Sequence, residues 1–143
     1  MGSLTSFLAG NATPIPNRKH VVSERFVNTE TGLPEEWEYR IISAQDNAEL
    51  RKKCIRTVQA PGGRKGQFTQ DFDPGLYQAK LIAACTVWPD LHAKELQDSY
   101  GVLGAENLAL KMLTPGEFED YSEELLEAHG FTNQEELVDE AKN

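Results

Sequence analysis

The side chains of this sequence that could do chemistry are three histidines, two cysteines and several neighbouring carboxylates. His20, His92 and His129 stand far apart, without the i, i+4 or His-x-His spacing that places two imidazoles on one metal ion. We therefore interpret each histidine as a surface or helix-end residue. The sequence predicts no metal site and no cofactor.

The two cysteines, Cys54 and Cys85, fall inside predicted helices and are too far apart for a Cys-x-x-Cys motif. Catalytic and metal-binding thiols usually occur in such pairs or beside a positioned histidine. Neither arrangement is visible here. The sequence predicts two buried free thiols and no disulfide, as in a reducing compartment.

Motifs for hydrolysis or phosphate binding are also absent. No segment has the order Gly-x-Ser-x-Gly or His-Glu-x-x-His. The loop at Gly62 departs from the phosphate-binding order Gly-x-x-x-x-Gly-Lys-Ser/Thr, and it follows a predicted helix rather than a strand. Glu123 and Glu124 are neighbours on a predicted solvated face. We predict a protein that is not an enzyme.

No membrane segment or signal peptide is predicted. No apolar run approaches the roughly 18 residues that a membrane-spanning helix needs. The start of the chain does not have the organisation of a signal peptide. These observations favour a cytoplasmic protein that does not bind membranes.

Charge is distributed unevenly along the chain. The net charge is −9, and residues 116–143, with ten acids and one lysine, account for all of it. Within the balanced remainder, residues 51–65 form a basic stretch without an acid. Its cations are Arg51, Lys52, Lys53, Arg56, Arg64 and Lys65. We interpret them as a solvated face that does not bind nucleic acid, since no aromatic stacking set accompanies them; the alternative is a structural or nucleic-acid-associated protein that contacts phosphates through them.

The element that organises the rest is a predicted central helix. From Leu81 to Trp88 only Thr86 is polar, and a helix apolar on nearly all sides must be buried. An Asp-Pro pair at residues 73–74 predicts its start and Pro89 its end. The predicted core residues are Leu81, Ile82, Cys85 and Trp88. Two short helices, over residues 91–99 and 103–113, are predicted to follow.

The other elements are predicted from periodicity and capping residues. Alternation of apolar and polar residues predicts a β-hairpin over residues 20–42, with strands at 21–27 and 36–42 around a turn. A helix follows from residue 44, whose buried stripe is Leu50, Cys54 and Val58. The Gly-rich residues 61–66 predict a flexible loop. A capping box at Thr114 predicts a helix to about His129, and a final helix starts at Thr132.

The sequence therefore predicts an α+β fold that is mainly α-helical. A single domain over residues 18–143 would pack the hairpin at 20–42 on about five helices between residues 44 and 142. A chain of 143 residues can bury a sufficient core without metal or disulfide.

Residues 1–17 are predicted to be a flexible N-terminal segment. Leu4, Phe7 and Leu8 follow i, i+3, i+4 spacing, which indicates a short amphipathic helix that Pro14 and Pro16 prevent from continuing. Such a set could contact a partner protein or pack on its own domain.

Several segments together resemble one known family. They lie at residues 4–9, 36–43, 49–54, 83–91, 96–106, 113–118 and 135–143. The most specific are Asp-Ser-Tyr-Gly at 98–101 and Leu-Thr-Pro-Gly-Glu at 113–117. The chain resembles, over nearly its whole length, the XkdN-like tail assembly chaperones of contractile-tailed phages and prophage elements of Gram-positive bacteria.

This resemblance implies a non-catalytic chaperone in the cytoplasm of the bacterial host. Such proteins bind the tape measure protein, and in some cases tail tube protein, before the tube polymerises, and they are absent from the mature virion. The resemblance offers no catalytic residue to carry over. Our candidate partner-binding residues are Leu4, Phe7 and Leu8, because a tape measure has exposed apolar seams. The oligomeric state, including a homo-oligomer, stays open.

Overall fold

The structure, a computed structural model, describes residues 2–63 and 65–131. Within them, five α-helices and five short strands follow a 3-10 helix at Leu4–Phe7. The helices are α1 (Ala44–Lys53), α2 (Pro74–Cys85), α3 (Lys94–Tyr100), α4 (Ala105–Met112) and α5 (Pro115–Ala128). The strands are β1 (Arg18–His20), β2 (Trp37–Tyr39), β3 (Ile55–Gln59), β4 (Phe68–Phe72) and β5 (Thr86–Trp88). The predicted α+β class is confirmed. The helix predicted from Thr132 lies outside the described residues.

The first sheet is antiparallel, with the strand order β1-β2-β5. Its first strand lies at Arg18–His20, earlier than the predicted 21–27, and a single bridge between Val27 and Pro34 is formed in the connecting segment. The third strand, β5, comes from the end of the predicted central helix. The hairpin is therefore present, but its first strand is displaced along the sequence.

Helix α2 forms the centre of the core, as predicted, but it is shorter. The Asp73 carboxylate accepts a hydrogen bond from the Leu76 N–H at 3.1 Å, and Pro74 occupies the first turn. Leu81, Ile82 and Cys85 are buried. The helix ends at Cys85, however, and the predicted burial of Trp88 is wrong, because Trp88 lies on β5 with 59% of its surface exposed. A run of Thr, Val and Trp favours an extended strand, which here pairs with β2.

An aromatic cluster joins the sheet to α5. The ring of Tyr121 on α5 meets the edges of Trp37, at 5.6 Å between centroids, and of Tyr39, at 6.1 Å. Its hydroxyl lies 2.8 Å from the Thr86 hydroxyl on β5. Because these rings are nearly fully buried and edge-to-face, they fix the sheet on the helical core.

The predicted continuation of the first helix to Val58 is wrong. Helix α1 ends at Lys53, and after Cys54 the residues Ile55–Gln59 form β3, which pairs in register with β4 from Ile55↔Phe72 to Gln59↔Phe68. We call this hairpin, residues 55–72, the β arm. Cys54 is buried as predicted, whereas Val58 is only half-buried. Most of the β arm is exposed, so it projects from the core.

The remaining helices have ends that agree with the sequence, with one exception. Thr114 and Glu117 form the predicted capping box at the start of α5. Gly101 ends α3 with φ at +67°, a conformation that glycine adopts without strain. The exception is α3, which was predicted over residues 91–99 but begins only at Lys94; the Asp90 carboxylate before it accepts from the His92 N–H at 3.0 Å.

Candidate partner-binding surface

The structure brings together two chemistry-bearing residues that sequence spacing left apart. The sulfur of Cys85 lies 3.9 Å from Nε2 of His129 at the end of α5. That Nε2 accepts the Ile42 N–H at 3.0 Å, while Nδ1 lies 2.7 Å from the Leu125 carbonyl oxygen and donates to it. Burial raises the pKa of the Cys85 thiol to about 12. A thiol that stays protonated beside a fully hydrogen-bonded imidazole has a packing role, not that of a nucleophile.

His20 and Cys54 have structural surroundings as well, whereas His92 is exposed. His20 stacks on Tyr121 with 6.2 Å between ring centroids, and its Nδ1 lies 3.8 Å from the Glu124 carboxylate. Burial raises the pKa of Cys54 to about 11. Within residues 2–63 and 65–131, no three His, Cys, Asp or Glu side chains are grouped so that they could hold a metal ion.

The predicted partner-binding residues lie on the surface of the N-terminal segment. Leu4, Phe7 and Leu8 are 76%, 81% and 55% exposed, respectively. Ser3 caps the 3-10 helix at Leu4–Phe7, because its hydroxyl accepts a hydrogen bond from the Thr5 N–H. It therefore presents a compact apolar set outside the core.

A second apolar surface, which the sequence did not indicate, surrounds Trp88. On one side of this ring is a depression of about 260 Å³, lined mainly by Phe26, Trp37, Trp88, Leu96, Tyr100 and Met112. These residues come from the β1–β2 connection, the strands β2 and β5, and the helices α3 and α4. Only the folded chain brings them together, so no sequence pattern could have found the surface.

Trp88 also lines a second, more polar depression of about 360 Å³. Glu35 and Glu36 line both depressions, and Glu38 and Lys19 line the polar one. We call the two together the Trp88 groove. Its four charged side chains have a net charge of −2, so one half of the groove is apolar and the other is acidic.

The basic stretch is divided between two elements. Arg51, Lys52 and Lys53 occupy the last turn of α1, where cations are favoured by the helix dipole. Arg56 lies on the β arm, with guanidinium nitrogens 3.5 Å from Asp71 and 3.7 Å from Asp73. Arg56 thus lies on a different element from Arg51, Lys52 and Lys53.

Comparison with known proteins shows one family. The sequence matches the family described as phage XkdN-like tail assembly chaperone protein over residues 4–142. It is 26% identical over 144 residues to phage-like element PBSX protein XkdN of Bacillus subtilis (strain 168), covering 98% of this chain and 93% of that protein. It is also 26% identical over 142 residues to the uncharacterized protein YqbN of the same strain, with the same coverage of 98% and 93%.

The fold is shared with a solved structure. A crystal structure of the protein YqbN superimposes with a TM-score of 0.73 at 23% sequence identity, covering 92% of this chain and 98% of that one. Among the described residues, no helix combines the length and apolar character needed to cross a membrane.

Proposed function

The chain belongs to the XkdN-like family of phage tail assembly chaperones, and on that premise we propose that it binds the tape measure protein before the tail tube polymerises around it. The family is one of chaperone-type phage proteins and is not a known enzyme family. We infer that the protein acts by binding alone. Its place of action is the cytoplasm of the bacterial host, it is absent from the mature virion, and tail tube protein is a second candidate partner.

The observation that carries the proposal is the exposure of Leu4, Phe7 and Leu8. Monomeric proteins expose scattered apolar residues, but three on one short helical turn form a patch suited to an apolar seam. A tape measure is expected to be a long helix with such seams, which aggregate until they are covered. Contact with this set would cover one of them.

The negative charge of the chain supports the same role. The net charge is −9, and a complex that keeps this charge repels other copies of itself. On α5, the exposed acids lie opposite the buried face that carries Phe118, Tyr121 and Leu125. An apolar contact combined with a repelling acidic face is what a solubilising partner requires.

The test is co-expression with the tape measure protein of the same genome. We expect this protein to raise the soluble yield of the tape measure and to co-purify with it. Replacing Leu4, Phe7 and Leu8 together by Ser should weaken co-purification. The melting temperature of the free protein should shift by only about 2 °C or less, because exposed substitutions change stability by about 0.5 kcal/mol.

A matched control replaces two exposed leucines elsewhere, Leu103 and Leu110, by Ser; these are 82% and 54% exposed. We expect this variant to co-purify normally. If the N-terminal variant melts many degrees lower, the segment belongs to the domain core and the contact lies elsewhere. If the intact protein leaves the tape measure insoluble and never co-purifies with it, the proposal is wrong.

A further inference from the structure

Trp88 is the largest side chain left exposed at the edge of the sheet. Its strand, β5, is at the end of the order β1-β2-β5, and 59% of the Trp88 surface is accessible. An exposed Trp is unusual in a chain that buries its other Trp, Trp37, almost completely. Exposed Trp residues beside an apolar depression are typical anchors of protein interfaces.

The charge of the Trp88 groove restricts what can occupy it. Glu35 is bonded to the Asn28 amide at 2.9 Å and Glu38 to the Asn17 amide at 2.8 Å, but both contacts are with neutral groups. No described residue forms a hydrogen bond or ion pair with Glu36. The one cation lining the groove is Lys19. An occupant with Lys or Arg beside an apolar side chain would therefore complement both halves.

The two termini of the chain itself do not meet this requirement. Residues 2–17 contain no charged side chain, so the N-terminal segment of any copy would leave the glutamates unpaired. Residues 132–143 carry four acids and one lysine, so they would be repelled by the groove. Neither of these two segments therefore supplies the cation that the groove lacks.

The shape of the edge favours docking of a helix over addition of a strand. Strand β5 has only three residues and is followed by Pro89, which has no N–H to donate to a new strand. An amphipathic helix instead inserts side chains at i, i+3 or i+4 into a groove, and residues at these spacings lie about 5–6 Å apart. One apolar anchor and one cation a turn away would reach the two halves.

We propose that the Trp88 groove binds a basic amphipathic helical segment of the partner protein. An apolar side chain of that segment packs against Trp88 and Leu96, and a Lys or Arg one turn away pairs with Glu36. This inference rests on the proposed function, under which the segment belongs to the tape measure protein. It assigns a second contact, separate from Leu4, Phe7 and Leu8.

The experiment uses the full chain co-expressed with the tape measure protein, and two single variants, Trp88→Ala and Glu36→Lys. We expect each to lower the affinity for the tape measure by about ten-fold or more, as for truncation of an interface anchor. The melting temperature should remain near that of the original protein because both side chains are exposed. Matched controls are Leu103→Ala for an exposed apolar residue and Glu123→Lys for the same change in charge on α5.

Overlapping 20-residue peptides of the tape measure identify the segment. Binding of a peptide that contains both Lys or Arg and apolar residues at helical spacing should shift the tryptophan emission of the protein to shorter wavelength, and the Trp88→Ala variant should lose that shift.

The inference is overturned if the intact protein co-purifies with the tape measure and both groove variants match their controls, while the proposed function stands. If nothing co-purifies, both fail together. If Trp88→Ala changes the sedimentation coefficient of the free protein, the groove holds a second copy and the inference is wrong.

Discussion

Individual side chains in the core of this protein are held by packing more than by polar contacts. Ile82 on α2 is fully buried. Leu81 and Leu108, also in the core, have at most 2% of their surface exposed. Close-packed interiors relax only partly when a side chain is shortened, so a cavity remains. The loss of free energy of unfolding on such a truncation therefore tests whether α2 is the centre of the core.

At this scale we expect Ile82→Ala to lower the free energy of unfolding by about 2–5 kcal/mol, through lost transfer energy and the cavity. Urea denaturation followed by fluorescence or circular dichroism measures the change. Leu103→Ala, at a side chain that is 82% exposed, is the control and should change stability by about 0.5 kcal/mol or less. A loss below about 1 kcal/mol at Ile82 would show that the core is elsewhere.

At the scale of elements, Arg25 joins three parts of the chain. Its guanidinium donates to the carbonyl of Met112, at the end of α4, at 2.6 Å and to the Glu117 carboxylate, on the first turn of α5, at 2.8 Å. The same guanidinium lies over the Phe26 ring, 5.1 Å from its centroid. Arg25 therefore fixes the β1–β2 connection on the α4–α5 junction, beside the apolar half of the Trp88 groove.

This bridge predicts a pH dependence. Hydrogen bonding and attraction from Arg25 lower the pKa of Glu117 to about 2, from an ordinary value of 4.5. Because the folded pKa is the lower one, the stabilisation is complete above pH 4.5 and is lost as pH falls toward 2. The effect should be small, since the Arg25 side chain is 52% exposed and solvent screens the pair.

We expect Glu117→Gln to flatten the fall of stability between pH 4.5 and 2, measured by urea denaturation at a series of pH values. Gln preserves the capping-box geometry with Thr114, so the effect reports the charge. Glu123→Gln, at an exposed position of the same helix, is the control and should leave the slope unchanged. Direct NMR titration that placed the pKa of Glu117 near 4.5 would contradict this account.

Helices with caps were predictable from the sequence, whereas three short strands were not. The caps at Asp73 and Thr114 are local signals, formed by a side chain and the N–H three residues later. The strands at 55–59, 68–72 and 86–88 depend on partners 9 to 50 residues away, and their spacing of apolar residues also fits a helix. Their β-branched residues, such as Ile55, Val58 and Val87, were the signal that could have distinguished them.

The two candidate surfaces also differ in whether the sequence alone could predict them. The exposed set at Leu4, Phe7 and Leu8 was visible in the sequence because one short turn contains all of it. The Trp88 groove combines residues from Lys19 to Met112, and a Trp at the end of an apolar run is usually interpreted as a core residue. Exposure depends on tertiary packing, so the prediction from the sequence that Trp88 is buried was wrong.

On the scale of the whole molecule, charge is distributed unevenly along the chain. Residues 116–143 account for the full net charge of −9, while the basic stretch lies at residues 51–65. In the fold, part of that stretch is neutralised, because Arg56 is within 4 Å of two aspartates. Lys52 and Lys53 are exposed at the end of α1. A nucleic acid drawn to them would also meet the repulsion of the acidic remainder.

We therefore predict that Arg51, Lys52, Lys53 and Arg56 form a solvated face and that the protein binds neither DNA nor RNA at physiological salt. Phosphate contacts would release counterions, so the logarithm of the affinity would fall with that of the salt concentration with a slope of about −0.9 for each contact on duplex DNA. Fluorescence anisotropy of labelled duplex DNA and single-stranded RNA across a salt series measures this. Two double variants distinguish a local site from an effect of net charge. One replaces Lys52 and Lys53 by Glu, and the control replaces Lys94 and Lys111 by Glu, so that both change the net charge equally. Micromolar binding with a steep salt slope, abolished in the first pair and retained in the second, would make the basic stretch a nucleic-acid site and favour the structural alternative.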